Sequence, residues 1–156
     1  MITTDIPGTG LMQISNLVLD YNGTLAIDGS LINGVEERLN RLAEELTVYV
    51  VTADTFGKAA VNLKNTNCNL TILGKGNQQQ QKAGFIEKLG AQQVAAIGNG
   101  LNDALMLETA VLGIAVVQQE GAAVKTLQKA DIVFNNINDA LDLLQNPLRL
   151  KATLRV

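Results

Sequence analysis

Short apolar, β-rich runs alternate with stretches of helical periodicity along most of this chain, and few architectures accept that alternation. Residues 16–20 (ending Leu17-Val18-Leu19-Asp20), Thr47-Val48-Tyr49-Val50-Val51-Thr52, Leu70-Thr71-Ile72-Leu73, Gln93 to Ile97, residues 112–117 and Ile132-Val133-Phe134 read as strands. Helices are expected over roughly 34–45, 56–64, from the glutamines 78–81 through Leu89, and over about 102–109, 121–129 and 137–145. In the first of them Val35, Leu39, Leu42, Ala43 and Leu46 recur at helical spacing, with Asn33 as its cap. Thr55 or Asp54 can cap the second, and Gly90 ends the third. Strands alternating with helices of about ten residues predict βαβ units. The expected fold class is therefore α/β: a three-layer, doubly wound, Rossmann-like parallel sheet. With no repeat and no linker-like stretch, residues 1–156 are read as one domain. Residues 1–15, with Pro7, Gly8 and Gly10, are expected to form a leading strand, a hairpin or a loose arm. The basic tail after Pro147 is expected to be extended or frayed. Asn22 and the first long helix are separated by about ten residues, room for a small flap but not for an inserted cap domain.

Composition removes several kinds of chemistry. The chain has no His, hence no imidazole base, no His-type zinc site and no Ser-His-Asp triad. Its one cysteine, Cys68, excludes an intramolecular disulfide and suits a reducing cytosol, so a cytoplasmic location is expected. A net charge of −3, no long run of like charges and no Trp argue against a nucleic-acid partner. No apolar run approaches membrane-spanning length and the N-terminus lacks a signal-peptide pattern, so no membrane partner is expected. Chemistry must come from carboxylates, lysines, hydroxyls, amides and backbone groups.

Those groups gather at strand ends. Asp20-Tyr21-Asn22-Gly23-Thr24 follows the first core strand and Thr52-Ala53-Asp54 the second. Lys82 lies in the helix before the fourth, and Gly98-Asn99-Gly100-Leu101-Asn102-Asp103 follows that strand. A doubly wound sheet brings such ends into one crevice. Carboxylates, a lysine, a hydroxyl and glycine-exposed N–H groups there suit phosphate together with magnesium. A carboxylate can also attack phosphorus to form an aspartyl phosphate. The bland alternatives are a turn cap for Asp20, a helix cap for Asp54 or Asp103, and a solvated lysine for Lys82 or Lys75. Gly98-x-Gly100 lacks the third glycine of a dinucleotide fingerprint.

In these motifs the chain resembles the haloacid dehalogenase-like phosphohydrolases and, more narrowly, a soluble form of the P-type ATPase phosphorylation domain. The family's opening Asp-x-Asp-Gly-Thr, Asp-Lys-Thr-Gly-Thr in the pumps, stands here as Asp20-Tyr21-Asn22-Gly23-Thr24. The strand ending in Thr, Thr-Gly-Asp in the pumps, is Thr52-Ala53-Asp54; the lysine with its amphipathic helix is Lys82 to Leu89. Gly-Asp-Gly-x-Asn-Asp is Gly98-Asn99-Gly100-Leu101-Asn102-Asp103, and the pumps' Ala-Asp-Ile-Val is Ala130-Asp131-Ile132-Val133. The match runs in order over roughly 16–134. The resemblance implies that Asp20 is nucleophile and Mg²⁺ ligand, with the Asn22 carbonyl a second ligand. Thr52 and Lys82 would hold phosphoryl oxygens, aided by backbone N–H groups after Asp20 such as that of Gly23. Asn102 would contact phosphate. Asp103 would orient Lys82 or serve the metal's outer shell.

Two departures accompany the resemblance. The phosphatases place their general acid/base at the position of Asn22, and an amide can neither give nor take that proton. Slow turnover is therefore expected, felt least with acyl phosphates and aryl esters, whose leaving groups need no protonation. Asn99 stands where the family has a metal-ligating Asp, so weaker Mg²⁺ binding is expected. The function implied is a Mg²⁺-dependent, capless phosphohydrolase acting on phosphate esters or acyl phosphates. Its partner is a phosphorylated substrate, small or macromolecular, and an open crevice is compatible with a homo-oligomer. The rival reading is a catalytically weak, phosphate-responsive binding or regulatory module.

Overall fold

The chain begins as an antiparallel hairpin, β1 (Ile2–Ile6) and β2 (Gly10–Ile14), in a computed structural model that describes residues 1–54 and 57–156. Ile2, Thr4 and Ile6 point inward and Thr3 and Asp5 outward, the period of a strand with one face on a core. The hairpin is thus the form taken by the expected leading segment. It is followed by β3 (Asn16–Leu19), a two-stranded flap of β4 (Ala26–Ile27) and β5 (Ser30–Leu31), and α1 (Val35–Leu42). Next come β6 (Thr47–Thr52), α2 (Ala59–Asn62), β7 (Asn69–Ile72), α3 (Gln78–Leu89) and β8 (Val94–Gly98). A 3-10 turn (Leu101–Asp103) leads into α4 (Ala104–Thr109), then β9 (Leu112–Val116), α5 (Val124–Leu127), β10 (Ile132–Phe134), α6 (Ile137–Leu144) and α7 (Pro147–Leu154).

Six of the strands form a parallel sheet in the order β10-β9-β8-β3-β6-β7. The chain leaves β3 toward β7, then returns to β8 and runs on to β10. The order therefore reverses between β3 and β8, and the crevice of a doubly wound sheet opens at that point. Alternate residues of each strand feed opposite faces. Leu17, Leu19, Val50, Ile97 and Ile114 pack in one core with Ile6, Ile14, Leu39 and Leu141. Val18, Val51, Ala96 and Ala115 pack in the other with Ile86, Met106 and Leu107. Both faces are covered, so the central strands read as unbroken apolar runs. No helix among the described residues is long and apolar enough to cross a membrane.

Several elements depart from expectation. Asn33 does not cap α1; Gly34 does, at φ 86 and with no side-chain bond, while the Asn33 carbonyl accepts from Asn138 Nδ2. The first helix is shorter than expected because a turn takes up residues 43–45, the fifth begins only at Val124, and the second is α2, residue 56 of its expected span lying outside the described residues. The expected Thr55 cap lies outside the described residues. Asp54 does cap, its Oδ1 accepting the Ala59 N–H at 3.2 Å. The largest difference is at the tail. Pro147 starts a helix there, with Leu150 fully buried against the core. Proline lacks an N–H that the first helical position does not need.

Candidate active site

β3, the innermost strand, delivers Asp20. Its N–H continues the ladder onto the Ile97 carbonyl at 3.0 Å, which fixes the residue in line with β8. Lys82, in the second turn of α3, reaches across with a fully buried side chain. Its Nζ donates to Asp20 Oδ1 and to Asp103 Oδ1, both at 2.6 Å. Asp103 comes from the turn after β8, and its Oδ2 accepts the N–H groups of Asn99 at 3.0 Å and Gly100 at 2.9 Å. Gly98 is required here, since a Cβ would fall 2.5 Å from Asp103 Cγ.

Burial sets the electrostatics. It pushes the Asp20 carboxyl up, with Asp103 adding to the push and Lys82 opposing it, to about 6. Asp20 is then mostly ionised at neutral pH, as a nucleophile must be. Burial disfavours the Lys82 charge, but Asp20 and then Asp103 outweigh it and raise the ammonium above the ordinary lysine range.

The other face of Asp20 is an oxygen cluster. Thr24 Oγ1 lies 3.3 Å from Asp20 Oδ2 and 3.2 Å from Asn99 Oδ1, so these oxygens converge on one hydroxyl. Asn99 Nδ2 donates to the Gly121 carbonyl at 3.0 Å, which turns the amide so that its oxygen faces the cluster. Tyr21, Gly23 and Thr24 carbonyls all accept hydrogen bonds, whereas that of Asn22 accepts none among the described residues. The Asn22 Oδ1 is likewise buried without a partner. Among the described residues no three His, Cys, Asp or Glu side chains are grouped so that they could hold a metal ion by themselves. One carboxylate oxygen and one amide oxygen meet at Thr24 Oγ1, and the Asn22 carbonyl two residues after Asp20 is unpaired among the described residues; all are hard oxygens of the kind Mg²⁺ takes.

The structure thus brings Asp20, Lys82, Asp103 and Asn99 together, whereas Lys75 is exposed in its loop. Both Asp103 oxygens are engaged, Oδ1 by Lys82 and Oδ2 by the N–H groups of Asn99 and Gly100. Thr52 is buried at the end of β6 and bonds none of these groups; its Oγ1 accepts the Asp54 N–H at 3.1 Å, leaving its proton to donate. Asn102 stands at the rim, its Nδ2 on Gln78 Oε1 at 3.3 Å. Gly23 is a correction: its N–H closes the turn onto the Ala26 carbonyl at 2.7 Å and is no donor for an anion. Tyr21 packs under the flap, its hydroxyl on the Gly29 carbonyl at 3.3 Å. Two residues went unseen from sequence. One is Thr24 as the link between Asp20 and Asn99. The other is Gln118, whose Nε2 holds the Gly23 and Thr24 carbonyls at 3.0 and 2.9 Å while its Oε1 accepts the Ile137 N–H. The only signal for Gln118 is its position just past β9, at another strand end of the same crevice.

No protein-family model matches the chain. An uncharacterised protein of Methanocaldococcus jannaschii is 49% identical over 84 residues, 51% of this chain and 90% of that protein. A second from the same organism is 49% identical over 39 residues, 25% of this chain and 89% of its own length. Among solved structures, the magnesium-, phosphate- and KDO-bound 3-deoxy-D-manno-octulosonate 8-phosphate phosphatase of Moraxella catarrhalis is similar with a TM-score of 0.71 at 17% identity, covering 86% of this chain and 87% of that one. The cobalt-bound deoxy-D-mannose-octulosonate 8-phosphate phosphatase of Haemophilus influenzae has a TM-score of 0.72 at 15% identity, with 92% and 94% covered. The catalytic domain of the CPx-ATPase CopB-B has a TM-score of 0.61 at 27% identity over 74% of this chain, which spans 46% of that one. By sequence the chain belongs to one family with these Methanocaldococcus proteins, and its fold is the one these phosphatase and ATPase-domain structures share.

Proposed function

We propose that this protein is a Mg²⁺-dependent phosphohydrolase that works through an aspartyl phosphate on Asp20. The observation that carries the reading is the asymmetric setting of Asp20: Oδ1 on a buried lysine, Oδ2 on a cluster of neutral oxygens. One carboxylate oxygen can serve a metal while the other faces phosphorus.

Asp20 Oδ2, the Asn22 carbonyl and Asn99 Oδ1 are the residues that would hold the ion, with Asp103 behind them in its outer shell. The ion would supply charge neutralisation on the phosphoryl oxygens. Lys82 would carry the same function from the opposite side. Thr52 would donate its hydroxyl proton to a second phosphoryl oxygen, and Asn102 would approach from the rim. With the Gly23 N–H on the Ala26 carbonyl and the Tyr21 N–H on the Asp20 carboxyl, the N–H of Asn22 is the donor left at that turn. The substrate is a phosphorylated small molecule entering an open crevice.

The test is phosphate release from acetyl phosphate and p-nitrophenyl phosphate, with Mg²⁺ titrated and Asp20→Ala alongside. Release that needs Mg²⁺ and disappears in the variant is expected. Wild type and variant equally inactive across the Mg²⁺ range would overturn the reading. Amides at both Asn22 and Asn99 favour a second reading, a phosphate-responsive module. It predicts that Asp20 takes up a phosphoryl group and releases none.

A further inference from the structure

We infer that the phosphoryl donor is an acyl phosphate or another phosphate whose leaving group departs without a proton. This rests on the phosphohydrolase reading and adds the substrate class to it.

The inference comes from accounting for the groups that face Asp20. A general acid for the leaving oxygen needs a proton and a free approach. Asn22, at the position beside the nucleophile, is an amide. Lys82 holds its protons between two carboxylates at 2.6 Å, and surrendering one would strand both. Asp103 has one oxygen on Lys82 and the other on the N–H groups of Asn99 and Gly100. Tyr21 is turned away, its hydroxyl between the Gly29 carbonyl and Asn62 Nδ2. Asp54 caps α2 through Oδ1, and Glu120 is held at the rim by the Asp28 N–H. Thr24 and Thr52 are hydroxyls, too weakly acidic for the task. Among the described residues, none of these groups is placed to protonate an alkoxide.

A leaving carboxylate removes the need. Asp20 forms a bond to phosphorus while the bond from phosphorus to the leaving oxygen breaks, and the electron pair departs on the leaving carboxylate. No proton moves. One mixed anhydride is exchanged for another of the same kind, so the transfer is close to thermoneutral. Water then attacks the phosphorus of the aspartyl phosphate, the Asp20 carboxylate leaves, and the water's proton passes to solvent and phosphate. That second step also lacks a base, so the phospho-enzyme should accumulate.

The experiment is a leaving-group series with Mg²⁺: acetyl phosphate, p-nitrophenyl phosphate, phenyl phosphate and glycerol phosphate, on wild type and Asn22→Asp. Acid-quenched intact mass is read in parallel for one phosphoryl group on Asp20. In wild type kcat/KM should fall steeply along the series, with acetyl phosphate leaving a phosphorylated chain. Asn22→Asp should raise glycerol phosphate turnover by about 10²–10⁴-fold, the usual worth of a general acid/base. Wild type that hydrolyses glycerol phosphate as readily as acetyl phosphate overturns this inference and leaves the phosphohydrolase reading standing. No release and no phosphorylated chain with any member of the series overturns both.

Discussion

Lys82 is the residue on which the centre of the site depends. It is fully buried and bonds two carboxylates at once. Lys82→Met would leave both without a countercharge, and breaking a buried ion pair costs roughly 3–5 kcal/mol. The variant should unfold at markedly lower urea, and Mg²⁺ should return part of the loss by replacing the charge; urea titrations with and without Mg²⁺ check both. Asp20 gives a pH signature. Its carboxyl moves from 3.8 to about 6 in the fold, chiefly through burial, so the folded chain holds that proton more tightly than the unfolded one. The resulting stability is complete below about pH 4 and fades as pH rises through about 6. Asp20→Asn cannot ionise. Without metal, its melting temperature should gain on wild type across that window and level off above it; a difference independent of pH would contradict the shift. Asp20 and Asp103 were legible because strand-end position locates them, and Lys82 because its spacing to the Gly98–Asp103 stretch matches the resembled motif. Gln118 was not, since its partners lie on a loop more than ninety residues away and nothing local marks the contact.

At the scale of elements, the alternation of strands and helices carried over to the structure, with the bounds of β6, α3 and β10 and the Gly90 stop of α3, while other helix ends and the Asn33 cap did not. Gly34 replaces Asn33 at the start of α1 because a glycine accepts φ 86 and the turn needs it. The tail was misread for a physical reason: proline stops a helix from within but starts one from its first position. The helix it starts, α7, lies on the leading hairpin, and the N–H of Val156 reaches the Pro7 carbonyl at 3.1 Å. Leu150 is its single fully buried anchor. Leu150→Ala should cost about 2–5 kcal/mol, read as a lower denaturation midpoint. The altered packing is remote from Asp20, so Mg²⁺-dependent phosphate release below that midpoint should be unchanged.

At the scale of the molecule, the site is assembled from parts that the chain makes far apart and the sheet order brings together. β3 supplies Asp20, the return to β8 supplies Asp103 and Asn99, and the loop after β9 supplies Gln118, which ties the Asn22 turn to the start of α6. The same assembly governs how the chain ages. Both of the site's unusual amides are followed by glycine, Asn22-Gly23 and Asn99-Gly100. In an open chain such pairs cyclise: the glycine nitrogen attacks the side-chain carbon, ammonia leaves, and the ring opens to aspartate or isoaspartate. In the fold both of those nitrogens are donors in hydrogen bonds, Gly23 to the Ala26 carbonyl at 2.7 Å and Gly100 to Asp103 Oδ2 at 2.9 Å. Folding therefore keeps these residues neutral, and each spell spent unfolded lets the chain drift toward carboxylates at both positions, a slow gain of negative charge in the crevice.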